Sequence, residues 1–214
     1  MGERFNMIRA RINEEPFEYK DASLNSYAFS QESIKILPAL KTFANRVESM
    51  SKGLNLFLWS PNNGAGKTYL SYAILRQVRE FDQPLWVKDG KTLPFGNVKT
   101  MAINFKHFVD VCKTFDEGAK KYQEALYNAD YLLIDEVSSN MLSQNPHEDK
   151  RQLLVVLDDR LSEFRPTIIT SNNSPEEFQN AFGPNIYSRL QSRTEFIEVP
   201  GKDMRPILKM VEDD

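Results

Sequence analysis

The sequence predicts an α/β fold built on a mostly parallel sheet. Short apolar runs alternate along the chain with segments of helical periodicity, the pattern expected when buried strands are joined by crossover helices. A glycine-bearing loop stands between one such run and the helix-period segment after it. With 214 residues, 41% of them hydrophobic, and no internal repeat or low-complexity tract, the chain fits one compact domain.

Composition removes several other classes. The single cysteine, Cys112, cannot close an internal disulfide, and with only His107 and His147 beside it there is no zinc module. No apolar run approaches the roughly 18–20 residues that cross a bilayer, and Met1 to Ala10 lacks the apolar stretch of a signal peptide. A soluble, cytoplasmic protein with no membrane partner is therefore expected. A net charge of −3 gives no global attraction to nucleic acid, so any DNA contact must come from a local basic patch.

In chain order, residues 1–30 read as an arm. Arg4, Arg9, Arg11, Glu14, Glu15 and Glu18 interleave with Phe5, Ile8, Ile12, Phe17 and Tyr19, and a short helix is expected before Pro16. The core is expected over 31–214. Ile34, Leu37, Leu40, Phe43, Ala44 and Val47 recur at three and four residues, which predicts an amphipathic helix over Gln31–Met50, kinked at Pro38 and ended by Gly53. Leu54–Trp59 follows as a buried strand, then the loop, then a helix over Lys67–Glu80 with Leu70, Ala73, Ile74 and Val78 on one face.

Further strands are predicted at Leu85–Lys88, Thr100–Asn104, Tyr131–Asp135, Thr167–Thr170 and Glu195–Val199. Helices are predicted at Phe105–Phe115, Glu117–Asn128, Asp149–Glu163, Pro175–Phe182 and Asn185–Gln191. Turn signals at Asp89-Gly90 and Pro94-Phe95-Gly96-Asn97 place a hairpin-like insertion at about 88–100. Phe105, Phe108, Val109, Cys112 and Phe115 share the spacing of a core face; Trp59 and Trp86 are read as core, and His107 and His147 carry no assigned chemistry.

Four segments carry chemistry. Ser60-Pro61-Asn62-Asn63-Gly64-Ala65-Gly66-Lys67-Thr68 has the form of a Walker A loop. Its glycines let successive N–H groups and the helix N-terminus face phosphate oxygens, and Lys67 reaches the outer phosphates. Nucleotide binding is assigned to Asn62, Asn63, Gly64, Ala65, Gly66, Lys67, Thr68 and Tyr69. Pro61 stands where the usual first glycine would be; it removes one N–H, but the phosphate-facing donors come from later positions.

Tyr131-Leu132-Leu133-Ile134-Asp135-Glu136 reads as a Walker B strand. Thr68 and Asp135 are the expected Mg²⁺ ligands, and Glu136 is the group that polarises the attacking water. Thr167-Ile168-Ile169-Thr170-Ser171-Asn172 delivers Asn172 to the same sheet edge as a catalytic residue; the residues after it also suit a turn and helix cap. Arg189, on a short late helix, is positioned to reach a nucleotide bound by a neighbouring subunit, with Arg193 second. A surface ion pair is the alternative for Arg189.

In this order the four segments resemble those of the AAA+ ATPases. More narrowly the chain resembles bacterial replicative helicase loaders of the DnaC/DnaI type, their phage versions and their IstB-like relatives, over roughly Phe17 to Arg205. The likeness rests on Asn128 to Glu136, Leu157-Asp158-Asp159-Arg160, Pro166 to Asn172 with Ser174-Pro175-Glu176-Glu177, and Val199 to Arg205. The resemblance implies a P-loop NTPase three-layer sandwich with ATP and Mg²⁺ as cofactors. Because only about forty residues follow Asn172, it also implies no C-terminal helical lid.

It further implies an ATPase completed in trans by an arginine finger, an ATP-dependent oligomer, a hexameric replicative helicase as partner, and single-stranded DNA. Candidate DNA contacts are Lys106, Lys113, Lys120 and Lys121 among aromatic neighbours, with Lys88, Lys91 and Lys99 as a second group. The loaders' N-terminal helicase-binding domain is not matched, so the Phe5–Tyr19 arm is the expected grip, and the short form suits a phage protein. The alternative within the fold is an IstB-type transposition helper acting with a transposase on duplex DNA. A small-molecule kinase would need an arginine-rich closing lid that is not evident after Asn172, and a non-hydrolysing ATP switch is kept open by Pro61.

Overall fold

The computed structural model describes residues 11–80, 85–87, 91–93 and 98–201, with 85–87 and 91–93 described as strands without their side chains. Its main sheet has six strands in the order β1-β5-β6-β7-β2-β8. They are β1 (Arg11–Ile12), β2 (Asn55–Trp59), β5 (Thr100–Asn104), β6 (Tyr131–Asp135), β7 (Thr167–Ser171) and β8 (Thr194–Glu198). All neighbours from β5 to β8 run parallel, and β1 lies antiparallel on the β5 edge. The order places the phosphate-loop strand β2 between β7 and β8, so the ends of β5, β6 and β7 open beside it, where ligands sit in such sheets.

Both faces are covered, which is why β2, β5, β6 and β7 are almost wholly buried and read as continuous apolar runs. On one face Leu56, Leu58, Leu133 and Ile168 pack with Leu40 and Phe43 of α1 (Leu37–Ala44) and Leu70, Ile74 and Val78 of α3 (Lys67–Glu80). On the other, Phe57, Leu132 and Ile169 pack with Phe105 and Phe108 of α4 (Phe105–Lys113), Leu153 and Val156 of α6 (Pro146–Ser162), Phe178 of α7 (Pro175–Phe182) and Leu190 of α8 (Pro184–Gln191). This is the expected three-layer sandwich. Among the described residues no helical lid follows β8, and no helix is long and apolar enough to cross a membrane.

Several elements differ from the sequence reading. The single helix expected over Gln31–Met50 is a 3₁₀ turn at Ser33–Ile36, then α1, then α2 (Arg46–Lys52). Pro38 sits in the first turn of α1, where its missing N–H has no intrahelical partner to lose, so it starts that helix instead of kinking it. The break is at Asn45, extended at φ −78° and ψ 107°, whose side chain accepts from Val47 and Glu48 and caps α2. Likewise α6 begins three residues before Asp149 because Asn145 caps it and Pro146 occupies its first turn.

The helix expected before Pro16 is, in its described part, the strand β1. Ile12 and Arg11 pair with Met101 and Ala102, satisfying an otherwise open sheet edge. Residues beyond Pro16 lie against the body of the protein, with Ala22 and Leu24 buried in the first core and Tyr19, Tyr27 and Phe29 packed on it. β3 (Leu85–Val87) and β4 (Lys91–Leu93) pair antiparallel as a separate two-stranded sheet. The side chains of Trp86, Lys88 and Lys91, the turn signals of that insertion, Phe5 and Ile8, and the stretch from Lys202 to Arg205 lie outside the described residues.

Candidate nucleotide site

The loop between β2 and α3 is shaped by its two glycines, Gly64 at φ 72° and Gly66 at φ 94°, in the region that only glycine enters without strain. Lys67 opens α3 and is 9% exposed. Its Nζ donates to the Ser60 carbonyl at 3.2 Å and the Asn62 carbonyl at 3.1 Å, so the ammonium is held against the loop that a phosphate would occupy.

A cavity of about 340 Å³ opens over this loop. Asn63 to Tyr69 line it, with Glu136, Thr170 and Asn172 on one side and Tyr19, Ser26, Tyr27 and Ala28 on the other. Asn62, expected among the binding residues, is not in the lining; its side chain donates to the Gly201 carbonyl at 2.9 Å.

At the cavity's sheet side Thr68 Oγ1 lies 3.1 Å and 3.2 Å from the two Asp135 oxygens, and Thr170 Oγ1 donates to Oδ1 at 2.5 Å. Burial pushes the Asp135 carboxyl above the ordinary aspartate range, with the nearby Glu136 charge adding to the rise and the bonds from Thr170 and Thr68 opposing it. A part-buried carboxylate met mainly by neutral hydroxyls has oxygen lone pairs that could take a cation. The donor set is hard oxygen, two protein ligands beside a phosphate cradle. That suits Mg²⁺, which takes one or two carboxylates together with substrate phosphates and water in preference to an all-protein cage. Among the described residues no cluster of three or more His, Cys, Asp or Glu forms such a cage.

Glu136 has φ 61°, a left-handed backbone that is uncommon for a non-glycine residue and costs roughly 1–2 kcal/mol. Its N–H donates to Thr170 Oγ1 at 2.9 Å, so one hydroxyl both holds Asp135 and fixes the turn that throws Glu136 into the cleft. The Glu136 carboxylate accepts from Asn104 Nδ2 at 2.5 Å. Asn104 also caps α4, accepting from the Lys106 N–H at 3.0 Å. Asn172 Nδ2 donates to Asn63 Oδ1 at 3.0 Å and so bridges the end of β7 to the phosphate loop.

Neither Asn104 nor Thr170 was assigned a role from sequence. A signal for Asn104 existed: it ends an apolar run as Asp135 does, and the two are partners in the β5–β6 register. The tyrosine wall had no such signal, because residues 19–28 are distant in sequence and meet the loop only through folding.

Arg189 lies on α8 outside the cavity lining and pairs with Asp158 of α6, both side chains about half exposed. Arg193 donates to the Leu161 carbonyl at 3.3 Å and stacks on Phe164. Of the lysines considered for DNA, Lys106, Lys120 and Lys121 are exposed, but Lys120 pairs with Glu117 of α5 (Glu117–Asn128). Lys113 binds the fully buried Asp149 at 2.5 Å and fastens α4 to α6. Phe105, Phe108 and Val109 are core, whereas Phe115, expected on the same face, is 94% exposed, because α4 stops at Lys113 and the chain turns outward before α5. Cys112 and Trp59 pack against the second core, and His147 is exposed.

The same fold occurs in solved proteins. The crystal structure of the DnaC helicase loader superposes with a TM-score of 0.67 at 18% identity, covering 86% of this chain and all of that one. The crystal structure of DnaI gives 0.66 at 19% identity, covering 88% and 93%. The replication initiator DnaA bound to AMPPCP and single-stranded DNA gives 0.66 at 13% identity, covering 92% of this chain and 56% of that one. No curated protein sequence matches the chain. The family described as IstB-like ATP binding protein matches residues 8–210. With nearly its whole length matched, and with the phosphate loop and Glu136 meeting in one cavity, the chain belongs to the IstB-like ATP-binding family and has the fold of the DnaC helicase loader.

Proposed function

We propose that this chain is a Mg²⁺-dependent ATPase of DNA replication that loads a hexameric replicative helicase onto single-stranded DNA. The observation that carries the ATPase half is the convergence of Lys67, Thr68, Asp135, Glu136 and Asn172 around the cavity. Backbone N–H groups of the loop and Lys67 bind the phosphates, and Thr68 and Asp135 hold the metal. Bound there, Mg²⁺ supplies charge neutralisation on the phosphate oxygens.

Glu136 orients and deprotonates the attacking water, and Asn172 holds the γ-phosphate side of the cleft. Asn104 holds one oxygen of the Glu136 carboxylate and so orients it, while the exposed carboxylate keeps acceptor sites for water. Arg189 acts on the nucleotide of a neighbouring subunit, leaving Asp158 when copies assemble. Lys106, Lys120 and Lys121, with the exposed Phe115, supply the single-stranded DNA contact, while Lys113 is held by Asp149. Exposed Phe17, within the described part of the arm, engages the helicase.

Helicase loading is supported by the likeness to the DnaC helicase loader along that protein's whole solved length. The second reading, a transposition helper acting with a transposase on duplex DNA in the same cellular compartment, is favoured by the family match. Size-exclusion chromatography with the host or phage hexameric helicase, with and without an ATP analogue, separates them. Co-elution supports the loader. ATP-dependent assembly on duplex DNA without helicase co-elution replaces it with the helper.

A further inference from the structure

The two glycines of the phosphate loop leave it with several backbone states of similar energy, so something outside the loop must select the one that faces a phosphate. Tyr27 is placed to do this. Its hydroxyl donates to the Ala65 carbonyl at 2.8 Å. Its ring lies on the bare face of Gly66, where an added Cβ would fall 2.5 Å from Cε2 and 2.6 Å from the hydroxyl oxygen. In a trans peptide the C=O and the following N–H point in opposite directions, and the chain has no cis peptides among its described residues. Drawing the Ala65 carbonyl toward Tyr27 therefore turns the Gly66 N–H away from it. Among the described residues that N–H has no acceptor, and Gly66 lines the cavity.

The tyrosine is itself held from behind. Phe29 packs edge-on at 4.5 Å between ring centroids, and Tyr69 of α3 lies at 5.7 Å. The Tyr69 hydroxyl bonds Ser26 Oγ at 2.9 Å and accepts from the Ser23 N–H at 3.3 Å. Further back Tyr19 stacks on Tyr72 at 4.9 Å, and Leu24 is buried in the core. Burial raises the Tyr27 hydroxyl above its usual range, which keeps it a donor.

We propose that Tyr27 is a positioning residue for the phosphates, setting the Ala65–Gly66 peptide so that the Gly66 N–H is presented to the bound anion. The proposal rests on the reading of the cavity as the nucleotide site. It gives the segment before α1 a second task besides walling the cavity: it governs how well phosphate is gripped.

The test compares the full-length parent with Tyr27→Phe, which keeps the ring and removes the hydroxyl. Binding of ADP, tripolyphosphate and adenosine is measured by calorimetry without divalent cation, and thermal unfolding without ligand. Tyr27→Phe is expected to weaken ADP and tripolyphosphate by the same factor, about three- to tenfold, the size of one net hydrogen bond. Adenosine affinity is expected to stay at the parent's value, and the unliganded Tm to fall only by the cost of one lost hydrogen bond, because the buried Ala65 carbonyl loses its donor. Parent-like binding of tripolyphosphate by Tyr27→Phe overturns the proposal, as does an equal loss for adenosine. If the parent itself binds neither ADP nor tripolyphosphate, the reading of the cavity falls and takes this proposal with it.

Discussion

Two charged side chains, Arg160 fully buried and Asp135 partly so, lie at opposite ends of the same sheet, and they are treated in opposite ways. Arg160 is fully buried at the N-terminal end of β6 and β7, with no carboxylate against it. Every arm of its guanidinium is nonetheless matched: Nε to Thr167 Oγ1 at 3.0 Å, one terminal nitrogen to the Leu126 and Ala129 carbonyls at 3.0 Å and 2.8 Å, the other to the Pro166 carbonyl at 2.8 Å. Burial pulls it down to about 9, which still leaves it charged at neutral pH. Asp135, at the C-terminal end of β6, is only part-buried, with the hydroxyls of Thr68 and Thr170 on its oxygens and a second carboxylate beside it; those two threonines and Glu136 line the cavity.

The first group is closed and ties the end of α5 to the starts of two strands. The second is unfinished, and under the proposed function its deficit is what a cation and a phosphate would supply. A buried charge is thus informative only with its partners: complete satisfaction marks a structural joint, and partial satisfaction beside a cavity marks a binding site.

The sharpest way to test this contrast is at the open end. Glu136→Gln is expected to lower ATP turnover by about 10²–10⁴-fold, the usual worth of a positioned general base, while nucleotide binding and Tm hold. Phosphate release and nucleotide titration check it, and a loss of fold stability in its place would erase the distinction. At the closed end Arg160→Met takes a donor from four acceptors, of which the Pro166 carbonyl keeps another in the Leu132 N–H. An expected cost of about 3–5 kcal/mol in denaturant unfolding, with nucleotide affinity in the surviving folded protein unchanged, is the mirror result.

The smallest effect concerns Asp135. Its native carboxyl titrates above the unfolded one, so across that window the native chain holds more protons than the unfolded chain. Stability without ligand therefore falls as pH rises through it. Asp135→Asn should remove that slope in Tm measured against pH, raise Tm at neutral pH, and abolish the Mg²⁺ dependence of nucleotide affinity. A slope that survives the substitution assigns the titration to another group.

Much of this was readable before folding. The phosphate loop, Lys67, Thr68, Asp135, Glu136 and Asn172 are announced by short motifs, because a phosphate cradle and a metal ligand at a strand end need particular residues at particular spacings. Three helices, Lys67–Glu80, Glu117–Asn128 and Pro175–Phe182, have the bounds their periodicity and caps suggest. Asn45 was harder to read: the periodicity of α1 carries on into α2, and only the cap geometry reveals two helices. Phe115 was misread for a related reason, since helical spacing cannot say where a helix stops.

The sequence by itself determined the fold class and the chemistry of the cleft, since both depend on local order: apolar runs for buried strands, glycines and hydroxyls where phosphate and metal must be met. The tertiary structure alone decided what surrounds that chemistry. Tyr27 on Gly66, Asn104 on Glu136, Arg189 on Asp158 and Lys113 on Asp149 are pairs separated by about thirty to forty residues. No periodicity or spacing encodes such pairs; they exist because the parallel sheet gathers its strand ends along one edge and packs distant segments across them.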